Sequence, residues 1–251
     1  MKTYQKDLAR LLAESRALFF RDGLTLKDGR PTPYFVNFGL FRTGRLISAL
    51  GSIMADFLID TKTIDSFDVL VGPSYKGSAL AVVTAEELWN RHQAEKSFDY
   101  DRKEAKNHGE ASLKAAMFVT GALFDGCRVL IIDDVVTTMA TKFDLLGRLT
   151  AEATARGHSY HPTGVVLYID RQQTTAVYDK NEQPLLNERG QNAVRNFKLA
   201  TGLEVQTILG IKEIIDYLHQ EKIPVSQNDK MEPLSAAAVE RFKQYLGAYG
   251  V

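Results

Sequence analysis

The chain of 251 residues carries 31 Lys plus Arg against 31 Asp plus Glu, with 45% hydrophobic and 25% charged residues. That balance suits a soluble globular protein long enough to bury a sizeable core, and it excludes a global basic field for nucleic acid. The single cysteine, Cys127, excludes an internal disulfide framework and fits a cytoplasmic location, while neither a signal peptide nor a stretch long enough to span a bilayer is present, so no membrane partner is expected.

Thr3 to Phe20 sets Leu8, Leu11, Leu12 and Leu18 on one face and predicts an amphipathic helix. The following L-T-L-K-D-G-R-P-T-P-Y-F-V-N-F has hairpin composition around a D-G turn, with Lys27 just before the turn and Phe35 after Pro33. Taken alone, that lysine reads as solvated and those aromatics as core. Thr43 to Leu58 predicts a second helix. Asp68 to Val71 predicts a short buried strand ending in G-P-S-Y-K-G, a turn that carries Tyr75 and Lys76 and opens a helix over Ser78 to His92. Phe98 to Arg102 predicts a strand. The charged R-K-E-A-K-N-H-G-E-A-S that follows reads either as a solvated loop or as a lid, since Arg102, Lys103, Lys106 and His108 fall within seven residues.

The chain is organised around C-R-V-L-I-I-D-D-V-V-T-T-M-A-T, residues 127–141. Arg128 to Ile132 contains a short continuous apolar run, the pattern of a strand buried on both faces of a parallel sheet. It stops at Asp133 and Asp134 and then at a hydroxyl-rich turn, beyond which Phe143, Leu146, Leu149 and Ala153 recur at helical spacing up to Gly157. Cys127, opening a buried strand, reads as an inert core thiol. Gly164 to Ile169 predicts a further strand, ending on Asp170 and Arg171. Residues 172–202 break the rhythm as a polar, exposed arm. Strand character returns over Leu203 to Ile211, and helices are predicted over Ile214 to Leu218 and Ser235 to Tyr249. Alternating strands and helices without internal repeat predict a single α/β domain over residues 1–251, built on a mainly parallel sheet flanked by helices, with a small N-terminal hood formed mainly by about residues 1–42.

Three strand ends carry polar groups to one edge: Lys76, Asp133 with Asp134, and Asp170 with Arg171. The threonine turn offers N–H and O–H donors to a terminal phosphate at a helix N-terminus. The carboxylates suit the hydroxyls of a sugar or a hydrated Mg²⁺, which takes few carboxylates plus substrate oxygens. No G-x-x-x-x-G-K-[ST] or G-x-G-x-x-G occurs at the turn, and the histidines lack metal spacing. The residues alone reach a Mg²⁺-dependent binder of a sugar phosphate.

V-L-I-I-D-D-V-V-T-T-M-A-T resembles the phosphoribosyl diphosphate (PRPP) motif of the type I phosphoribosyltransferases. T-L-K-D-G-R-P-T-P-Y-F-V-N, G-P-S-Y-K-G, D-R-K-E-A-K-N-H-G-E and I-D-R-Q narrow the resemblance to the orotate phosphoribosyltransferase family, over nearly the whole chain and in the family's order. The resemblance implies the type I phosphoribosyltransferase fold and transfer of phosphoribose from PRPP to orotate with Mg²⁺, in pyrimidine (UMP) biosynthesis. It places Thr137, Thr138, Met139, Ala140 and Thr141 around the 5′-phosphate, preceded by Val135 and Val136, and Asp133 and Asp134 at the ribose hydroxyls. Tyr75, Lys76, Arg102, Lys103, Lys106 and His108 would meet the diphosphate, with Lys27 near the reacting ends of both substrates. Phe35 and Val36 would flank the pyrimidine ring beside Thr137, and Arg171 would pair with the orotate carboxylate. Mg²⁺ would be held mainly by PRPP oxygens and water. The resemblance further implies a homodimer whose lid reaches the neighbouring subunit's site.

Three features depart from the family pattern: Val36 stands at a ring-flanking position that is often aromatic, Thr174 to Gly202 is longer than in short bacterial members, and the phosphate turn is altered. The turn usually reads T-A-G-T-A, whereas this chain has T-T-M-A-T, so Met139 takes the place of a glycine and is expected at negative φ. Two alternatives stand beside the orotate reading: a purine-type phosphoribosyltransferase, opposed by Lys27, Phe35 and Arg171, and a PRPP-binding regulator without catalysis, which the altered turn favours but which has no need of a complete lid.

Overall fold

The computed structural model describes residues 1–102, 117–136 and 138–251. Sixteen regular elements follow one another there: α1 (Thr3–Glu14), β1 (Leu18–Phe20), β2 (Tyr34–Val36), α2 (Gly44–Asp60), β3 (Val69–Gly72), α3 (Lys76–His92), β4 (Ser97–Tyr100), β5 (Arg128–Val136), α4 (Ala140–Arg156), β6 (His161–Asp170), α5 (Ala193–Thr201), β7 (Glu204–Gly210), α6 (Ile211–Gln220), β8 (Pro224–Gln227), β9 (Lys230–Pro233) and α7 (Ala236–Tyr249).

Strands β4-β3-β5-β6-β7 form a five-stranded sheet in that order, every neighbouring pair parallel. Burial on both faces explains the continuous apolar runs. Leu130 and Ile132 of β5 point into a core shared with α1, α2, α3, α6 and α7, while Val129 and Ile131 point into a second core under α4 and α5. Cys127 is buried, and burial pushes its thiol above the ordinary value, as befits an inert core residue. Helices α2 and α3 approach closely because Gly51 lacks a side chain: a Cβ there would lie 2.7 Å from the Val83 carbonyl oxygen. Glu87 is buried between these helices, and its carboxylate accepts the Ser48 and Ser52 hydroxyls at 2.7 Å each.

The N-terminal region differs from the sequence expectation. The helix expected over Thr3 to Phe20 ends at Glu14, and Arg16 takes a left-handed φ of 57°. The apolar, aromatic Leu18–Phe20 then forms β1, pairing antiparallel with β2 and parallel with β8. The hood sheet has the order β2-β1-β8-β9, so half of its strands come from residues 224–233, well outside residues 1–42. The expected hairpin around Asp28-Gly29 is reduced to the turn Leu26–Arg30 and a bridge between Thr25 and Pro31, because Tyr34–Val36 pairs with β1 instead. Among the described residues, no helix is long and apolar enough to cross a membrane.

Candidate active site

The strand order places β3 beside both β4 and β5, and the chain winds outward in opposite directions from the β3/β5 pair. Crevices at such a switch point, beyond the carboxyl ends of the strands, are where ligands bind in open α/β sheets. Here the crevice has an uneven floor. Val71 pairs with Ile131 and β3 ends at Gly72, so Asp133 to Val136 run on past it, paired only with β6. The β3 turn folds back tightly, since a Cβ on Gly72 would fall 1.9 Å from the Gly77 carbonyl oxygen. It is tied to the end of β4 by the Ser74 amide, which donates to Asp101 Oδ1 at 2.6 Å. Arg148 of α4 holds the same aspartate at 3.1 Å and donates to the Arg102 carbonyl oxygen. Lys76, the first residue of α3, reaches across the crevice and sets Nζ 3.1 Å from Asp134 Oδ2. Tyr75 stands exposed beside it.

The paired carboxylates do not act as a pair. Consecutive strand residues point to opposite faces. Asp134 faces α3 and Lys76, whereas Asp133 is buried toward α4, where Lys142 Nζ donates to its Oδ2. The other Asp133 oxygen accepts the Asp134 amide at 2.9 Å. Burial pushes the Asp133 carboxyl above the ordinary range, against the opposing pull of the Lys142 ammonium. Lys142 escaped the sequence reading although it lies on the same helix face as Leu145 and Leu149. A lysine in line with buried leucines, nine residues after an aspartate at a strand end, is the signal that would have found it.

Past the strand, Thr138, Ala140 and Thr141 are exposed and Met139 is buried. Met139 adopts φ 62°, correcting the expectation of negative φ. The turn keeps the left-handed geometry, and the methionine side chain finds its place in the core under α4, together with Val71, Val136 and Leu145. As N-cap of α4 it supplies no side-chain acceptor, so no side chain of that residue covers the first amides of the helix.

On the far side of the crevice, Arg171 follows β6. It is 6% exposed, its guanidinium lies 5.2 Å from the Tyr34 ring centroid, and its Nε and Nη2 have no hydrogen-bond partner among the described residues. Burial pushes the neighbouring Asp170 carboxyl up, and that carboxylate accepts the Gln172 amide at 2.7 Å. In β2, Phe35 faces Phe19 at 5.9 Å between ring centroids, while Val36 points the other way into the core. The two side chains, expected to flank one flat ring, thus lie on opposite faces of β2. Lys27 is exposed on the Leu26–Arg30 turn. Lys103, Lys106, His108 and Thr137 lie outside the described residues.

No protein-family model matches the chain. Curated relatives do. The orotate phosphoribosyltransferase of Saccharophagus degradans is 34% identical over 224 residues, covering 88% of this chain and 91% of the relative. That of Vibrio cholerae is 34% identical over 251 residues and covers 100% of both chains. The chain belongs to the orotate phosphoribosyltransferase family. The crystal structure of the family member from Francisella tularensis matches with a TM-score of 0.71 at 27% identity, covering 96% of this chain and 98% of that one.

Membership of this family gives the buried surroundings of Arg171 a context that sequence reading missed. Arg30 is 1% exposed, bonds Asp28 at 2.7 Å, and stacks 5.1 Å from the Tyr249 ring centroid. Tyr249 meets Tyr245, and Tyr245 meets Tyr34, the ring that carries Arg171. This aromatic chain joins the hood turn, the C-terminal helix and the end of β6. No motif marks it, because its members lie more than 200 residues apart in the chain, from Arg30 to Tyr249.

Proposed function

We propose that this chain transfers the 5-phosphoribosyl group of PRPP to N1 of orotate, giving orotidine 5′-monophosphate and diphosphate in pyrimidine biosynthesis. The observation that carries the orotate half is Arg171, a buried cation at the carboxyl edge of the sheet whose Nε and Nη2 lack an acceptor among the described residues. A carboxylate satisfies both donors at once, and the planar guanidinium fork suits it. The PRPP half rests on the open N-terminal turn of α4 for the 5′-phosphate, with Thr137 to Thr141 around it. Asp134 takes the ribose hydroxyls, and Asp133, turned inward to Lys142, holds the strand end in place.

Tyr75, Lys76, Arg102, Lys103, Lys106 and His108 serve the diphosphate, and Lys27 serves the reacting ends. In the reaction the bond from ribose C1 to the diphosphate oxygen breaks as the bond from C1 to N1 forms. Negative charge grows on the leaving group, and cations aimed there stabilise it most where it develops. Among the described residues no group of three or more acidic, histidine or cysteine side chains forms a metal cage. Asp133 and Asp134 are each engaged by a lysine. That donor set fits a Mg²⁺ carried by substrate oxygens and water, with Asp134 the carboxylate nearest to serve it. Bound there, the ion would neutralise diphosphate charge.

The chain works as a cytoplasmic homodimer in this reading. Tyr75, Val82 and Trp89 form an exposed apolar stripe on one face of the α3 region beside the site, and a second copy would cover it. The deciding experiment is incubation with PRPP, Mg²⁺ and orotate while orotate's ultraviolet absorbance is followed. Loss of absorbance that requires all three supports the reading. No change, with PRPP binding intact, would leave a PRPP-binding regulator.

A further inference from the structure

Between β6 and α5 the chain leaves the sheet and returns as a closed arm. Tyr178 and Pro184 form an antiparallel bridge, the Leu185 amide donates to the Val177 carbonyl at 2.8 Å, and Asp179 Oδ1 caps the tip by accepting the Asn181 and Gln183 amides at 2.8 and 2.9 Å. The base of the arm is stitched to the end of α7. The Thr174 amide donates to the Tyr249 carbonyl at 2.8 Å, the Asn187 amide donates to the Tyr249 hydroxyl at 3.1 Å, and Arg189 Nη2 donates to the Gly247 carbonyl. Gly190 passes so close to Thr175 that a Cβ there would lie 2.3 Å from the Thr175 carbonyl oxygen. An arm held by this many bonds is a fixed object.

Its tip lies on the hood. Pro184 sits over Gly29 so closely that a Cβ on Gly29 would be 2.8 Å from Pro184 Cγ and 3.2 Å from Cδ. Gly29 has φ 84° and belongs to the same tight turn as Lys27, closed by the Leu26 amide on Arg30 and the Gly29 amide on Leu26, each at 2.9 Å. The turn is gripped from below as well, by Arg30 stacked on Tyr249. The arm therefore starts at Arg171, is anchored on α7, and ends on the turn of Lys27. It spans the base half of the site from one functional residue to the other.

We propose that the arm is a strut for that half of the site, with Pro184 a positioning residue that holds the Lys27 turn in register with Arg171. The proposal rests on Lys27 and Arg171 serving the transfer to orotate. The ends of this five-residue turn, Leu26 and Arg30, are buried, while Lys27 and Gly29 between them are exposed, and the local stability of such an exposed middle comes from what braces it. A shift of about 1 Å in a positioned catalytic group is enough to lower rate by up to about 10²-fold. The diphosphate half, built on β3, β5 and α4, shares no residue with the arm.

Two variants test this in the full chain. Pro184→Ala removes the ring atoms that touch Gly29. In the second, residues 178–184 are replaced by Gly-Gly between Val177 and Leu185, which are already hydrogen-bonded across the arm. Amide exchange at Leu26 and Gly29 is measured without substrates, and KM is measured for orotate and for PRPP. Both variants are expected to exchange those amides about tenfold faster. Orotate KM should rise about tenfold and PRPP KM by clearly less, because Arg171 faces orotate alone whereas Lys27 lies near both substrates. Unchanged exchange in both variants would overturn the strut. Faster exchange with an unaltered orotate KM would overturn the positioning role. Equal losses for both substrates would mean that the arm acts on the whole fold, against the proposal. A parent chain that failed to convert orotate would sink the functional assignment and the positioning half together, while the exchange rates would still decide whether the arm braces the turn.

Discussion

Met139 sets two effects against each other. Its φ of 62° is a conformation that costs an L-residue about 1–2 kcal/mol, and glycine would relieve it. Its side chain is 2% exposed in the core under α4, and truncating a buried methionine costs about 2–5 kcal/mol. Burial wins, so Met139→Gly should lower stability to urea by about 1–3 kcal/mol despite restoring the family's residue. A stabilised variant would mean that the methionine is only tolerated there. Lys142 belongs to the same turn of chain. Removing one partner of a buried ion pair costs about 3–5 kcal/mol, because the other charge is left without compensation. Lys142→Met should lose that much, and Lys142→Met with Asp133→Asn should recover part of it; additive losses in the cycle would show that the two side chains are not coupled. Arg171→Ala should cost about 2–5 kcal/mol in kcat/KM for orotate and leave PRPP KM nearly unchanged. Arg171 was legible because a charge directly after a buried strand is conspicuous. Lys142 and Arg30 were not, because a single lysine or arginine in an otherwise solvated pattern shows nothing of its burial until the helix or hood is packed.

The central strand was readable almost to its ends, yet it runs on through Asp133 and Asp134 to Val136 because β6 continues to pair with it. Pairing partners, and not the local apolar run, set where a parallel strand stops. The same reason hid β1, β8 and β9. Leu18–Phe20 carries apolar residues compatible with either a helix or a strand, and only its parallel partner Ser226-Gln227, far along the chain, decides between them. At the opposite edge of the sheet, β3 and β5 are locked by Asp68 and Arg128, with contacts of 2.7 and 3.1 Å between their side chains and one of 2.9 Å from the Arg128 amide. Those bonds, the side-chain ones foremost, hold the Asp68 carboxyl down at about 2 from an ordinary 3.8. A carboxyl whose folded-state value is depressed binds its proton first in the unfolded chain. Its contribution is therefore present above the ordinary value and is lost as pH falls through the depressed one. Asp68→Asn should lower Tm near neutral pH, and the gap from the parent should close as pH is taken from about 4 to about 2. A gap that stays constant over that range would show that the asparagine acts through packing alone.

Both ends of the chain meet above the carboxyl edge of the sheet, because β1 lies parallel to β8 and Tyr34 packs on Phe242 and Tyr245 of α7. The half of the site proposed for orotate is thereby roofed by residues from both ends of the chain, and the half proposed for diphosphate lies towards the exposed stripe of Tyr75, Val82 and Trp89. If a second copy covers that stripe, Lys106 is proposed to serve the neighbouring site. Lys106, which lies outside the described residues, and Asp134 then belong to different subunits at each site. Lys106→Ala should lower kcat severely and leave orotate binding intact if, as proposed, the lysine acts where charge develops on the leaving group. Asp134→Asn should weaken PRPP through the ribose hydroxyls and the lost partner of Lys76. In a mixed dimer of the two variants, one site combines both defects and the other has neither. After free exchange of subunits, about a quarter of all sites should be intact and activity should return to that fraction of the parent. If native mass spectrometry verifies exchange and activity stays at the level of the separate variants, Lys106 serves its own subunit and the shared-site reading fails.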